Sequence, residues 1–193
     1  IRRVDAATGL ITTVAGGGDG SAGANAIGDG GPAHQAVLAN PVALAIDASG
    51  MNLYVADEYH GRVRQIHLAS GLIETVAGTG AAGFGGDGGP AKAARLNAPA
   101  GLAVAPSGDL YVADRNNGRV RRVDARTGII TTVAGGPRLR LFSTGSRARD
   151  FSFEVVAIPF EGNAGPATLA PLPAPVALAF DAQGHLYIAD EVI

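Results

Sequence analysis

Cysteine and tryptophan are both absent from the 193 residues. Without cysteine there are no disulfides, no thiol catalysis and no thiolate metal sites, although the compartment stays open. Charge is sparse: 17% of residues are ionised and lysine occurs once, as Lys92. The formal net charge of -2 gives no overall field to attract nucleic acid or an anionic membrane. No apolar stretch approaches the roughly 18 residues that span a bilayer. The opening residues Ile1-Arg2-Arg3-Val4-Asp5 are neither a signal peptide nor a start methionine.

Glycine and proline are abundant instead, at 29 and 11 residues, more than long helices tolerate. A hydrophobic content of 47% excludes a disordered chain. Together these features predict an all-β chain with many turns.

Internal repetition identifies the architecture. Leu53-Tyr54-Val55-Ala56-Asp57 returns as Leu110-Tyr111-Val112-Ala113-Asp114 and as Leu186-Tyr187-Ile188-Ala189-Asp190. Upstream of each copy lies an apolar strand opened by proline, at Pro41, Pro99 and Pro175. Downstream, Arg62-Val63-Arg64-Gln65-Ile66 matches Arg119-Val120-Arg121-Arg122-Val123, with Ile1-Arg2-Arg3-Val4 as an earlier copy. A fourth, β-branched strand follows at Leu72-Ile73-Glu74-Thr75-Val76-Ala77-Gly78, matching the runs that end at Gly16 and Gly135. Glycine-marked turns join the strands, for example His60-Gly61 and Asn117-Gly118.

Four short antiparallel strands per unit is the pattern of a β-propeller blade. Residues 1–16 read as the second half of a blade, 41–78 and 99–135 as full blades, and 175–193 as the first half of another. About three blades' worth is present. Closed rings use roughly four to eight blades, so the chain reads as a fragment of a larger ring with unpaired edges, which missing blades or a second copy would complete. Residues 136–159 fit no strand of the repeat and read as an atypical insertion of about 19 residues, favoured as a mobile or spurious loop.

The strings Pro99-Ala100-Gly101-Leu102-Ala103-Val104, Gly108-Asp109-Leu110-Tyr111-Val112-Ala113-Asp114 and Ile130-Thr131-Thr132-Val133-Ala134-Gly135 resemble NHL repeats. Gly28-Asp29-Gly30-Gly31-Pro32-Ala33 and Gly86-Asp87-Gly88-Gly89-Pro90-Ala91 resemble the linkers of the bacterial long-linker form, and Gly162-Asn163-Ala164-Gly165-Pro166-Ala167 is a weaker copy. The resemblance implies a six-bladed propeller in a larger protein that is secreted or periplasmic.

Strands alternate in direction within a blade, so the turns between second and third strands share a face with the inter-blade linkers. Those turns differ between blades, reading Glu58-Tyr59-His60 in one and Arg115-Asn116-Asn117 in the next, on a repeated scaffold. Variable tips on a fixed frame predict a binding surface, with Glu58, Tyr59, His60, Arg115 and Asn116 as its candidates. The expected partner is protein, peptide or glycan, and the expected role is a non-catalytic interaction module. The alternative is a propeller lyase or lactonase holding a metal at the ring centre; an RNA-binding NHL domain is a weaker one, set against 17 acidic residues and 5% aromatics.

Asp57, Asp114 and Asp190 close each second strand. As hairpin clamps they would accept turn N–H groups or pair with Arg62 or Arg119; as a ring of carboxylates they would hold a metal. Recurrence in every blade favours the clamp. The linkers offer one carboxylate each, too few for calcium, and lack the Gly-Lys-Ser/Thr of a phosphate loop. The four histidines sit at four different repeat positions and build no symmetric metal site. Arginine in the third strands reads as solvated faces paired with acids. No catalytic residue, metal or cofactor is assigned.

Overall fold

The computed structural model describes residues 1–19, 27–136, 142–143, 153–154 and 165–191. The insertion expected at 136–159 falls outside them, apart from Gly136 and a two-residue antiparallel pair, and so does the first half of the third linker copy.

Strands β1 (Arg2–Val4) and β2 (Ile11–Thr13) form a two-stranded sheet, the outer half of blade 1. Blade 2 is β3 (Pro41–Ile46), β4 (Asn52–Asp57), β5 (Arg62–His67) and β6 (Leu72–Ala77), paired in sequence order. Blade 3 repeats it with β7 (Pro99–Val104), β8 (Leu110–Asp114), β9 (Arg119–Val123) and β10 (Ile130–Ala134). After the short pair β11 (Phe142–Ser143) and β12 (Phe153–Glu154), the strands β13 (Pro175–Phe180) and β14 (Leu186–Asp190) form the inner half of blade 4. All pairings are antiparallel, and each first strand carries the same irregularity just after its opening proline.

Successive residues of a strand face opposite sides of its sheet, and beyond its first strand blade 2 is covered on both sides. Val55, Ile66 and Ile73 pack toward blade 1 with Ala15, Ala33 and Ala36. Ala56, Val63 and Ala77 pack the other way, against Leu96 of the linker and Leu102, Leu110, Val112, Val123 and Ile130 of blade 3. Burying a side chain such as Leu96 contributes about 1.5–3 kcal/mol. Two-sided burial matches the nearly continuous apolar run of β7, whereas the equally apolar β3 leaves Val42, Leu44 and Ile46 exposed.

The first strands β7 and β13 run side by side at close range. A Cβ on Gly101 would lie 2.7 Å from the Val176 carbonyl oxygen and 3.0 Å from the Ala177 Cα, so only glycine admits this approach. The blades are set edge to edge along one arc of a propeller.

Each glycine-rich linker is stitched to two blades. Gly88 and Ala91 donate to the carbonyls of Ile130 and Gly128, at 2.8 and 2.9 Å, on the outer strand of the blade that follows. The Ala91 and Ala94 carbonyls accept Gly78 and Thr79 N–H from the blade that precedes, at 3.0 and 2.9 Å. Gly30, Ala33, Gly16 and Gly18 repeat the pattern one blade earlier. In both linkers a single 3-10 turn follows the proline, at Ala33–Gln35 and Ala91–Ala93.

Candidate functional site

The repeated aspartates are committed to the scaffold. Asp57, Asp114 and Asp190 accept the N–H of Ala39, Asn97 and Ala174, at 2.7, 2.7 and 2.8 Å, which ties each second strand to the residues that lead into its own blade. The second carboxylate oxygen of Asp114 accepts Asn117 Nδ2 at 2.7 Å; that of Asp57 meets His60 Nδ1 at 2.8 Å.

Their cationic partners differ from the sequence expectation of Arg62 and Arg119. Arg121 and Arg64 take that place, each wholly buried, with Arg121 Nη1 3.3 Å from Asp114 Oδ2 and Arg64 Nη1 3.5 Å from Asp57 Oδ2. The same guanidinium groups reach out to the linker carboxylates, Arg121 to Asp87 at 2.6 Å and Arg64 to Asp29 at 2.7 Å. Each full blade therefore contains an Asp–Arg–Asp latch joining second strand, third strand and linker. Arg62 and Arg119 instead donate to the carbonyls of His60 and Asn117, at 3.0 Å each.

The expectation of a solvated arginine stripe is corrected with them. Arg64 and Arg121 lie on the same side of β5 and β9 as Arg62 and Arg119 but two residues further from the hairpin tip, where they are wholly buried, and Arg119 and Arg121 both lie over the Phe84 ring at 4.1 and 4.9 Å. Burial pushes the Asp114 carboxyl above its ordinary range, against the hydrogen bonds of Asn117, the Asn97 N–H and Arg121, which work to lower it.

The tips between second and third strands lie over a cleft of about 430 Å³ between blades 2 and 3. Glu58 and Tyr59 line it from one side and Asn116 from the other, with Asn97, Ala98 and Leu96 below. Of the five candidates, the cleft therefore gathers Glu58, Tyr59 and Asn116. His60 turns back to Asp57, and Arg115 pairs with Glu191 of blade 4 at 2.8 Å. The contribution of Asn97 and Ala98 was missed, although their place just before Pro99 was a usable signal. The tips rest on these lead-in residues, Tyr59 N–H on the Ala39 carbonyl and Asn116 N–H on the Asn97 carbonyl, both at 3.0 Å.

A larger cavity, about 550 Å³, lies toward the outer strand of blade 2 and is lined by Arg62, Glu74 and Lys92 among others. Its charged side chains are engaged within the scaffold: Lys92 Nζ lies 2.8 Å from Glu74 and holds that carboxyl below its ordinary range, and Arg62 donates to carbonyls. Among the described residues no three His, Cys, Asp or Glu side chains gather into a metal-binding group, and no helix is long and apolar enough to cross a membrane.

The sequence profile of the Teneurin NHL domain matches residues 79–160. The chain is 40% identical to Teneurin-4 of Homo sapiens over 99 residues, covering 45% of this chain and 4% of that protein. It is 35% identical over 94 residues to the protein SUPPRESSOR OF QUENCHING 1, chloroplastic, of Arabidopsis thaliana, covering 49% and 9%. It is 33% identical over 95 residues to NHL repeat-containing protein 2 of Gallus gallus, covering 49% and 12%. The chain thus spans a small part of each of these relatives.

Among solved structures, a protein of unknown function from Bacteroides thetaiotaomicron superposes with a TM-score of 0.66 at 19% identity, over 98% of this chain and 39% of that one. An auxiliary nutrient binding protein from the same species gives 0.51 at 19% identity, over 76% and 34%. These two likenesses concern the fold alone. With its repeated four-stranded blades, its profile match and its NHL-containing relatives, the chain is similar to NHL-repeat β-propellers over about half of its length.

Proposed function

We propose that this arc of propeller is a non-catalytic binding module whose contact surface is the face carrying the hairpins between second and third strands, centred on the cleft between blades 2 and 3. One observation carries the reading. The side chains that recur from blade to blade are spent on the latches, whereas those that differ, Glu58, Tyr59 and Asn116, line an open cleft. A rigid frame with changeable residues at its loop tips is how propellers and other scaffolds acquire partners. A nutrient binding protein among the fold neighbours is compatible with such a role.

Amide shift mapping of the labelled chain against a library of amino-acid amides, dipeptides and monosaccharides tests the proposal. Fragment-induced shifts are expected to concentrate at residues 58–61, 96–98 and 115–118. Shifts concentrated on the first strands β3, β7 and β13 would point to a ring-centre site and overturn it.

A further inference from the structure

We infer that the cleft between blades 2 and 3 is a carbohydrate subsite, built for one or two units of a neutral oligosaccharide; this rests on the binding-module reading above and names its ligand class. Tyr59 is the first reason. Its side chain is 77% exposed, and its hydroxyl makes no hydrogen bond among the described residues. Tyr111, by contrast, packs edge-on against Phe180 at 4.9 Å, and the Tyr187 hydroxyl donates to Asp181. Tyr59 thus offers an apolar ring face together with a free hydroxyl. A pyranose, with its C–H face and hydroxyl rim, complements that pair.

The second reason is the open capacity of the neighbouring side chains. Asn97 and Asn116 touch each other only at 3.4 Å, the long limit of a hydrogen bond, so most of their amide donors and acceptors are unused. Glu58 takes Asn40 on Oε2, which leaves Oε1 for a sugar hydroxyl.

The backbone supplies the third reason, because the donors of Glu58, Tyr59, Gly61, Asn97 and Asn116 are already used. Tyr59 N–H goes to the Ala39 carbonyl and Gly61 N–H to the Glu58 carbonyl, both at 3.0 Å, and Asn97 N–H goes to Asp114 at 2.7 Å. A peptide laid down as an added strand needs free backbone groups, and a ligand read by side-chain amide, carboxylate and phenol groups does not. Charge narrows the class further. Glu58 is the one acidic side chain among the described lining residues, and none of those residues is an arginine, lysine or histidine. The guanidinium groups nearest the lining, of Arg62 and Arg95, are engaged by the Thr79 and Ala82 carbonyls, which leaves less of their charge for a phosphate or sulfate ester.

The test titrates the labelled chain with maltotriose, xylotriose, cellotriose, mannotriose and N,N',N''-triacetylchitotriose, with a heparin tetrasaccharide and a pool of neutral tripeptides alongside. At least one neutral trisaccharide is expected to shift the amides of residues 58–61, 96–98 and 116–118 in a saturable way. Tyr59→Ala and Asn116→Ala should each weaken that binding about tenfold, whereas Gln183→Ala, in a turn joining first and second strands, leaves it unchanged. Tyr59 and Asn116 are exposed, so these variants keep the fold. No shift with any neutral saccharide, or binding indifferent to Tyr59→Ala, overturns the assignment. Tripeptides that move the same amides while the saccharides stay silent overturn the carbohydrate class and leave the binding module standing. Ligand shifts confined to other parts of the chain overturn both.

Discussion

Arg121 and Asp114 are both fully removed from solvent, on neighbouring strands of blade 3, with Nη1 3.3 Å from Oδ2. The guanidinium also holds Asp87 through Nε and Nη2 at 2.9 and 2.6 Å, and Asp87 in turn accepts the Thr132 hydroxyl at 2.6 Å. One side chain thus ties four segments of the blade and its linker together, and two carboxylates depend on it for their compensation.

Replacing Arg121 with Met keeps most of the volume and removes the charge. Both carboxylates then lose their cation, and loss of one partner from a buried pair costs about 3–5 kcal/mol. Urea unfolding of Arg121→Met is expected to show that loss. Arg62→Met, which forfeits bonds to carbonyls at the blade rim, should cost no more than about 0.5–1.5 kcal/mol. Equal losses in the two variants would show that the latch has no special weight.

The strands were legible in the sequence because the repeat is written residue by residue, from Leu53-Tyr54-Val55-Ala56-Asp57 to Leu186-Tyr187-Ile188-Ala189-Asp190. The latch was legible only in part. Asp57 stands opposite Arg62 in the ladder, which is the partner that hairpin spacing suggests. The arginine that reaches it is the diagonal neighbour Arg64, two residues on along the same side of β5. Choosing between opposite and diagonal partners requires knowing which guanidinium is covered by the linker, and that is a tertiary fact. The cleft has the same history: Glu58, Tyr59 and Asn116 stood out by differing between blades, whereas Asn97 and Ala98 join them only when two blades are set side by side.

Gly101 tests the blade spacing directly. A methyl group there would press on the backbone of β13 at 2.7–3.0 Å, where nothing flexible can yield. Gly101→Ala is expected to cost about 1–3 kcal/mol in thermal or urea unfolding. Gly165→Ala, where an added Cβ meets nothing within 4 Å, should change stability little. If Gly101→Ala were equally silent, β7 and β13 would not be in backbone contact.

Asp109 is one of the carboxyls that shape the response to acid. Burial works to raise its pKa, but the Ala125 N–H, the Ser107 hydroxyl and Arg122 outweigh it and hold the carboxyl below its ordinary range. A folded-state value below the unfolded value of about 3.9 means that the stabilisation is complete above that pH and is lost as pH falls through the folded value. Urea midpoints measured from pH 6 to pH 2.5 should therefore fall less steeply for Asp109→Asn than for the parent chain. Parallel acid limbs would remove Asp109 from the account.

Ala98 has a φ of 53° in the left-handed region, as Asn40 has at 59° in the same place before blade 2. Asparagine tolerates that conformation and alanine does not, at a cost of about 1–2 kcal/mol. Ala98→Gly and Ala98→Asn are therefore each expected to raise stability, by about 0.5–1 kcal/mol after the entropy that glycine gives back. The residue forms part of the cleft wall beside Asn97, so the same variants report on the surface. If the strained turn only joins linker to strand, both variants stabilise and leave ligand shifts at residues 58–61 and 116–118 as they were. If it presents Asn97 to a ligand, Ala98→Asn preserves the turn and the affinity, whereas Ala98→Gly gains stability and loses affinity through the freedom it adds. Unfolding curves and shift titrations on the two variants separate these cases, and a destabilised Ala98→Gly would remove the strain from the argument altogether.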